Sequence, residues 1–165
     1  RAPISLSMGA PTTIPPKRVI DALKNALDEK DAHIYSTPRG EKYLREAIAQ
    51  RMKNRFNVEL DSDTEIFSLI GSKEGIANFI RLLINPTTKD EEKDIILVPD
   101  PGYASYKEMI KVSGGLSYSV PLKPDNNFMP DMEEVYKKFV SEGYNPKKIK
   151  ALLINYPNII SKNKL

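Results

Sequence analysis

The sequence predicts an α/β fold built on a parallel sheet, and three observations carry that prediction. From residue 66 onward, short apolar runs alternate with segments of helical period. The runs at 95–98 and 151–154 are continuously apolar, the pattern of strands buried on both faces. The 13 prolines fall between the periodic segments, so they punctuate the fold without interrupting it.

The elements follow in order. Residues 4–16 read as extended and irregular, with Gly9, Pro11 and the Pro15-Pro16 pair. Val19, Ile20, Leu23 and Leu27 recur at helical spacing and predict a first helix that ends before Asp31. Residues 35–40 form a loop. Leu44, Ile48, Arg51, Met52 and Arg55 then mark a long helix with one buried stripe. A strand is predicted at 66–70 and a helix at 75–84, with Ile76, Phe79, Ile80 and Leu83 inward. A second strand follows at 94–98 with its helix at 103–112. A third strand at 116–120 precedes a helix at 131–142. Asp131 and Glu134 open that helix at capping-box spacing, and Gly143 closes it. The fourth strand is 149–154. The charge run at 89–94 reads as a solvated loop, and no internal repeat or low-complexity tract is present.

Composition narrows the function. The 165 residues allow one ordinary domain or a piece of a larger one. At 40% hydrophobic and 28% charged the chain is globular in type. Lys and Arg total 25 against 22 Asp and Glu, a near balance that makes no electrostatic case for nucleic acid. The absence of cysteine excludes disulfides, thiolate catalysis and Cys-based metal sites. A lone His33 leaves no second imidazole for a metal cluster, and reads as a surface or cap residue. The apolar runs are too short to span a bilayer, and no secretory signal is visible. The chain opens on Arg1, so its native start is expected upstream. The cytoplasm is the expected compartment.

Ligands of open parallel sheets collect at the carboxyl ends of the strands, and three such ends carry notable sequences. Gly71-Ser72-Lys73-Glu74-Gly75 reads as a turn into a helix. Its free N–H groups, the Ser72 hydroxyl and the helix dipole suit a phosphate. It is neither a Walker loop nor a dinucleotide fingerprint. The competing reading is a glycine-bounded turn with a capping serine. Asp100-Pro101-Gly102-Tyr103 fixes a sharp exit from a strand, with Tyr103 placed for stacking on a planar ligand. The competing reading makes Tyr103 a rim aromatic and Tyr106 a core residue. Asn155-Tyr156-Pro157-Asn158 is a polar turn after a buried strand, for which ordinary turn chemistry suffices.

Taken in order, these pieces resemble the class I/II aminotransferases, fold-type-I enzymes that use pyridoxal 5'-phosphate. The resemblance rests on Ser7-Met-Gly-Ala-Pro11, Tyr35 with Gly40-Glu-Lys-Tyr-Leu-Arg-Glu-Ala-Ile48, Ile70-Gly-Ser-Lys-Glu-Gly-Ile-Ala77, Val98-Pro-Asp-Pro-Gly-Tyr103 and Ile154-Asn-Tyr-Pro-Asn158. The Gly-Ser-Lys-Glu-Gly-Ile-Ala block and the Asp-Pro-Gly-Tyr block, with Pro121-Leu and Asn127-Phe-x-Pro-Asp131, are most similar to the LL-diaminopimelate aminotransferase-like group. The resemblance runs from about residue 4 to Asn158.

It implies roles for particular residues. Ser72 and the backbone around Lys73 match the turn that holds the cofactor phosphate, and Tyr103 matches the aromatic stacked on the pyridine ring. Gly9 matches the glycine beside the substrate carboxylate. Tyr35 matches a tyrosine that reaches the phosphate of the partner subunit in a homodimer. The family moves an amino group between an amino acid and a 2-oxo acid, with the cofactor as electron sink. Tyr103 should therefore stand within roughly 10 Å of the Ser72 hydroxyl, over one strand-end cleft. Tyr35 should lie on a surface meant for the partner.

The departures are as informative. The family continues Asn-Pro-Thr-Gly after the fourth strand, whereas here Ile159 is followed by Ile160-Ser-Lys-Asn-Lys-Leu165. That tail reads as an altered reading frame or as an artificial junction. The family's pyridinium-pairing Asp, Schiff-base Lys and carboxylate-clamping Arg lie beyond it, so no catalytic lysine is expected here and the chain alone is expected to be inactive. Ser72-Lys73 is not that Schiff-base lysine, for it lies in the wrong strand–helix unit and lacks the downstream Gly-x-Arg-x-Gly. The expected organisation is an N-terminal arm and first helix at 1–35, a partial cofactor-binding large domain at 36–158, and a non-matching tail at 159–165. In the family sheet the second, third and fourth strands are neighbours, and the strand at 66–70 pairs with strands supplied later. Its ladder groups are expected to lack partners. The alternative function is a non-catalytic phosphate- or ligand-binding α/β module, or a truncated product with no stable activity.

Overall fold

The computed structural model describes residues 12–156, so Gly9, Asn158 and the tail at 159–165 lie outside the described residues. The chain divides between Ser68 and Leu69 into two compact units.

In the first unit, helix α1 (Lys17–Ala26) starts from Pro16 and buries no residue. His33 Nε2 donates to the Leu27 carbonyl at 2.9 Å, so the lone imidazole acts as a cap, as its sequence context predicts. Helix α2 (Lys42–Phe56) ends at Asn57, which takes the left-handed conformation at φ 55°. Arg45 of α2 is buried and donates to Asp63 Oδ1 at 3.0 Å. Gly40 has φ +83°, and a Cβ there would lie 1.8 Å from Ser68 Oγ. Only glycine fits that position.

Residues 66–70 do not form the predicted strand. Ile66 is buried, but among the described residues the segment makes only one backbone-to-backbone bond, from Ser68 N–H to the Arg39 carbonyl at 3.1 Å, and Ile70 N–H goes to a side chain, the Glu74 carboxylate. A β-strand needs a ladder of partner groups, and the sheet among the described residues offers this segment none. The apolar letters suit a strand; the missing neighbour decides against it.

The second unit carries helix α3 (Ser72–Leu83), strand β1 (Ile95–Asp100), helix α4 (Ser105–Val112), strand β2 (Leu116–Pro121), helix α5 (Met132–Ser141) and strand β3 (Ile149–Leu152). The three strands are parallel in the order β2-β1-β3. Ile95 sits opposite Leu116 on one side and Ile149 on the other, with a register shift before Ile96 pairs with Ala151. The adjacency of the second, third and fourth predicted strands is therefore observed.

Burial on both faces explains why β1 is continuously apolar. Ile95 and Leu97 join Tyr118, Val120, Val135 and Phe139 in the core beneath α5. Ile96 and Val98 point the other way, into Ile80, Ile84, Tyr106 and Ile110 of the α3–α4 layer. Successive side chains alternate between the faces, and each face has its own helices.

The charge run is only in part a solvated loop. Asp90–Glu92 form an exposed 3-10 turn paired to Lys89 and Lys93. Asp94, by contrast, is buried at the start of β1. Its Oδ2 accepts from the Asn85 N–H at 2.9 Å and the Asn85 side-chain amide at 3.0 Å, and Lys150 Nζ lies 3.4 Å from Oδ1. A buried carboxylate persists only with such partners.

Candidate functional site

The site is assembled from the start of α3 and the turn after β1. Helix α3 begins at Ser72, so Gly71 is its N-cap and Ser72, Lys73 and Glu74 are its first three residues. This corrects both the expected loop over 71–75 and the expected helix start at 75. The signal missed in the sequence is Glu74. Its Oε2 accepts from the Ile70 N–H at 3.2 Å, which is one half of a capping box set back by one residue. Gly75 can sit inside the helix because Leu69 folds over it, with Cδ1 2.3 Å from where a Cβ would stand.

The other half of the box is missing. Gly71 has no side chain, and Ser72, being helical, does not cap, which corrects the capping-serine reading. No side chain among the described residues caps the first-turn N–H groups of α3. Nothing among the described residues lies within 4 Å of a Cβ built on Gly71, so the space beside the helix start is open there. Helix α5 shows the contrast: Asp131 accepts from the Glu133 and Glu134 N–H groups at 3.1 and 2.9 Å and closes its own terminus. An open helix start presents N–H donors and the positive end of a dipole to an anion.

Tyr103 stands next to this helix start. Its ring is 44% exposed, while Tyr106 is buried, so the rim-and-core reading of the two tyrosines holds. The rings meet edge to face at 5.4 Å between centroids. Lys73 Nζ lies 5.5 Å from the Tyr103 ring centroid. The ammonium of Lys73, and then the Ser105 hydroxyl, hold the Tyr103 phenol below its ordinary value. Gly102 makes the turn possible, because a Cβ there would meet the Pro99 carbonyl oxygen at 2.3 Å.

Tyr103 also borders a cleft of about 350 Å³ with Val98, Asp100, Tyr106 and Lys107; Ser72 and Lys73 do not line it. At its edge Asp100 Oδ2 accepts from Lys107 Nζ and Ser119 Oγ, both at 3.1 Å. Lys107 foremost, and Ser119 with it, hold the Asp100 carboxyl below its ordinary range against the opposing effect of partial burial. Sequence reasoning missed this anchor of the β1 end, since Ser119 reaches it only through the pairing of β1 with β2.

The remaining expected residues are dispersed. Tyr35 is fully exposed and belongs to the first unit. Tyr156 donates its hydroxyl to the Phe128 carbonyl, an ordinary structural link. Among the described residues no cluster of His, Asp or Glu could hold a metal ion, and no helix is long and apolar enough to cross a membrane.

The fold and this strand-end arrangement define a class. The aminotransferase class I and II family matches residues 1–158, and the chain belongs to that family. Among curated relatives it is 41% identical over 155 residues to the LL-diaminopimelate aminotransferase of Aquifex aeolicus, covering 94% of this chain and 37% of that protein. The LL-diaminopimelate aminotransferase of Natranaerobius thermophilus is 39% identical over the same shares. The chain thus spans about 37% of the length of these relatives. Among solved structures, substrate-bound BacF of Bacillus subtilis superposes with a TM-score of 0.77 at 32% identity, over 93% of this chain and 36% of that one. The aromatic aminotransferase of Pyrococcus horikoshii gives a TM-score of 0.80 at 30% identity, over 93% and 38%.

Proposed function

We propose that this chain contributes the phosphate- and ring-holding part of a pyridoxal 5'-phosphate-dependent aminotransferase. In this reading the enzyme moves an amino group between an amino acid, LL-diaminopimelate or a relative of it, and a 2-oxo acid. The observation that carries the reading is the meeting of the uncapped start of α3 with the exposed ring of Tyr103. The residues present fit the cofactor. Gly71 leaves free the space that any Cβ would fill, the first-turn N–H groups and the exposed Ser72 hydroxyl suit a phosphate, and Tyr103 offers a π face. When bound, the cofactor supplies the electron sink for the chemistry at the amino acid's α-carbon. This chain's own residues bind and orient. Ser72 and the N–H groups of Ser72 and Lys73 hold the phosphate, Tyr103 fixes the plane of the ring, and the Asp100–Lys107–Ser119 network steadies the turn that carries Tyr103.

Three further assignments complete the proposal. Tyr35 serves the partner's phosphate in a homodimer, Gly9 lies beside the substrate carboxylate, and the protein works in the cytoplasm. Residues 1–35 act as arm and first helix, 36–158 as part of the cofactor-binding domain, and 159–165 stand outside the family pattern.

The test is binding of pyridoxamine 5'-phosphate, which has no aldehyde to react with surface lysines. The 165-residue chain should bind it saturably by equilibrium dialysis. Ser72→Ala and Tyr103→Leu should each weaken binding about tenfold, a loss of one charge-assisted hydrogen bond or one stacking face. Unchanged affinity in both variants would remove the site.

A further inference from the structure

The amino ends of β1 and β3, opposite the strand end that leads to Tyr103, border another cleft of about 660 Å³. That volume falls in the range of small-molecule sites, roughly 300–1,000 Å³. Its lining comes from residues 85–87 after α3 and from the segment leading into β3, with Glu92 and Asp94. The carboxylates of this lining are already matched. Asp94 has Lys150 Nζ 3.4 Å from one oxygen and two Asn85 donors on the other. Glu92 pairs at 2.8 Å with Lys89, which does not line the cleft.

That leaves Lys147 and Lys148, neither of which has a carboxylate partner among the described residues. Both are nevertheless held. Lys148 Nζ donates to the Glu92 carbonyl at 2.8 Å, across 56 residues of sequence, and its other N–H donors are uncommitted among the described residues. Asn145 Oδ1 accepts the Lys147 N–H at 3.0 Å and so fixes the 3-10 turn Pro146–Lys148 that carries both lysines. The Asn145 side-chain N–H groups and the Thr87 hydroxyl proton add neutral donors, since Thr87 Oγ1 is used only as an acceptor, from Lys89 N–H.

We infer that this cleft binds a small oxyanion carrying at least two negative charges, with Lys147 and Lys148 as its counter-charges and Asn145 and Thr87 as further donors. A singly charged anion leaves one of the two ammoniums uncompensated. A multiply charged one meets both, and neither lysine gives up an ion pair to receive it. The bound anion ties the 146–148 turn to residues 85–87 and stabilises the folded chain as its concentration rises. None of these residues belongs to the proposed cofactor site, so the two readings stand or fall separately.

The experiment is calorimetric titration of the 165-residue chain at fixed ionic strength with tripolyphosphate, citrate and acetate. Tripolyphosphate or citrate should bind saturably, the tighter of the two naming the phosphate or carboxylate source, and acetate should bind at least tenfold more weakly. Lys147→Gln and Lys148→Gln should each weaken the multivalent anion about tenfold. Lys147 is exposed and in no ion pair, so its variant tests the cleft without touching the fold. Lys30→Gln makes the same change of charge at an exposed position of the first unit and should leave the affinity unchanged. Amide NMR should show shifts at 85–87 and 145–150. No saturable binding, acetate bound as tightly as the multivalent anions, or an equal loss in Lys30→Gln and Lys147→Gln would each overturn the inference. Shifts confined to 71–75 would assign the anion to the start of α3 and overturn it as well.

Discussion

At the level of single residues, Tyr118 shows how burial and one partner set a property. The ring is buried against Phe139 and Tyr144, and its hydroxyl donates to Glu142 Oε2 at 2.7 Å. Burial first, and then the Glu142 carboxylate, push the phenol up from 10.0 to about 12. In the unfolded chain the same phenol ionises near 10, so the stabilisation is complete below pH 10 and is lost as pH rises through about 12. Tyr118→Phe should cost about 1.5 kcal/mol at pH 8, the net value of a hydrogen bond to a charged acceptor. The gap between variant and wild type should narrow at pH 11, and urea unfolding at the two pH values measures it. Asp94 teaches a related lesson. Burial would raise its carboxyl, but the two Asn85 donors and Lys150 outweigh that and hold it below its ordinary value. Nothing in a run of five charged neighbours marks the sixth residue as the one that turns inward, because Lys150 arrives from another strand.

At the level of elements, helix ends were legible where the cap is local. Helix α5 stops in a Schellman arrangement: Tyr144 N–H donates to the Phe139 carbonyl at 3.2 Å and Gly143 N–H to the Val140 carbonyl at 3.0 Å. Asp131 and Gly143 announce this helix in the sequence. Helix α3 announces itself less clearly, because its cap is a glycine without a side chain and its supporting Glu74 reaches past the cap. The two kinds of glycine predict different losses. Gly143 has φ +87° with nothing among the described residues within 4 Å of a built Cβ, so Gly143→Ala should cost about 1 kcal/mol by backbone strain alone and leave the affinity for pyridoxamine 5'-phosphate unchanged. Gly102→Ala would drive a Cβ into the Pro99 carbonyl oxygen and displace Tyr103, so it should lower the affinity for pyridoxamine 5'-phosphate. Chemical unfolding and dialysis on the two variants separate the effects. Equal loss of ligand affinity in both would contradict the positioning role of the Gly102 turn.

At the level of the whole molecule, β1 is the strand on which the second unit depends. It pairs on both edges and packs on both faces. Its central amides should therefore exchange slowest with solvent, while those at 66–70, outside any ladder, should exchange fast. Leu97→Ala removes a side chain from the α5-side core and should cost about 3 kcal/mol. Amide exchange and urea unfolding check both expectations, and protection at 66–70 equal to that of β1 would contradict the assignment of β1 as the most stable strand. The same central position bears on the proposed cofactor site, because Tyr103 follows the carboxyl end of β1, where open parallel sheets place their sites.

The sequence by itself determined the class of fold, the order of most elements and the family. Those depend on local period, on cap and turn chemistry, and on motifs read along one strand–helix unit at a time. Tertiary structure decided the rest. Residues 66–70 have a strand's letters and no strand, since a ladder is a property of two segments. Lys73 and Tyr103 lie in different strand–helix segments of the second unit, and only the packing of α3 against α4 sets the Lys73 ammonium over a half-exposed ring. Local patterns report what each residue does to its own backbone. A site is made by which strand ends come to lie side by side, and that is set by the folded sheet.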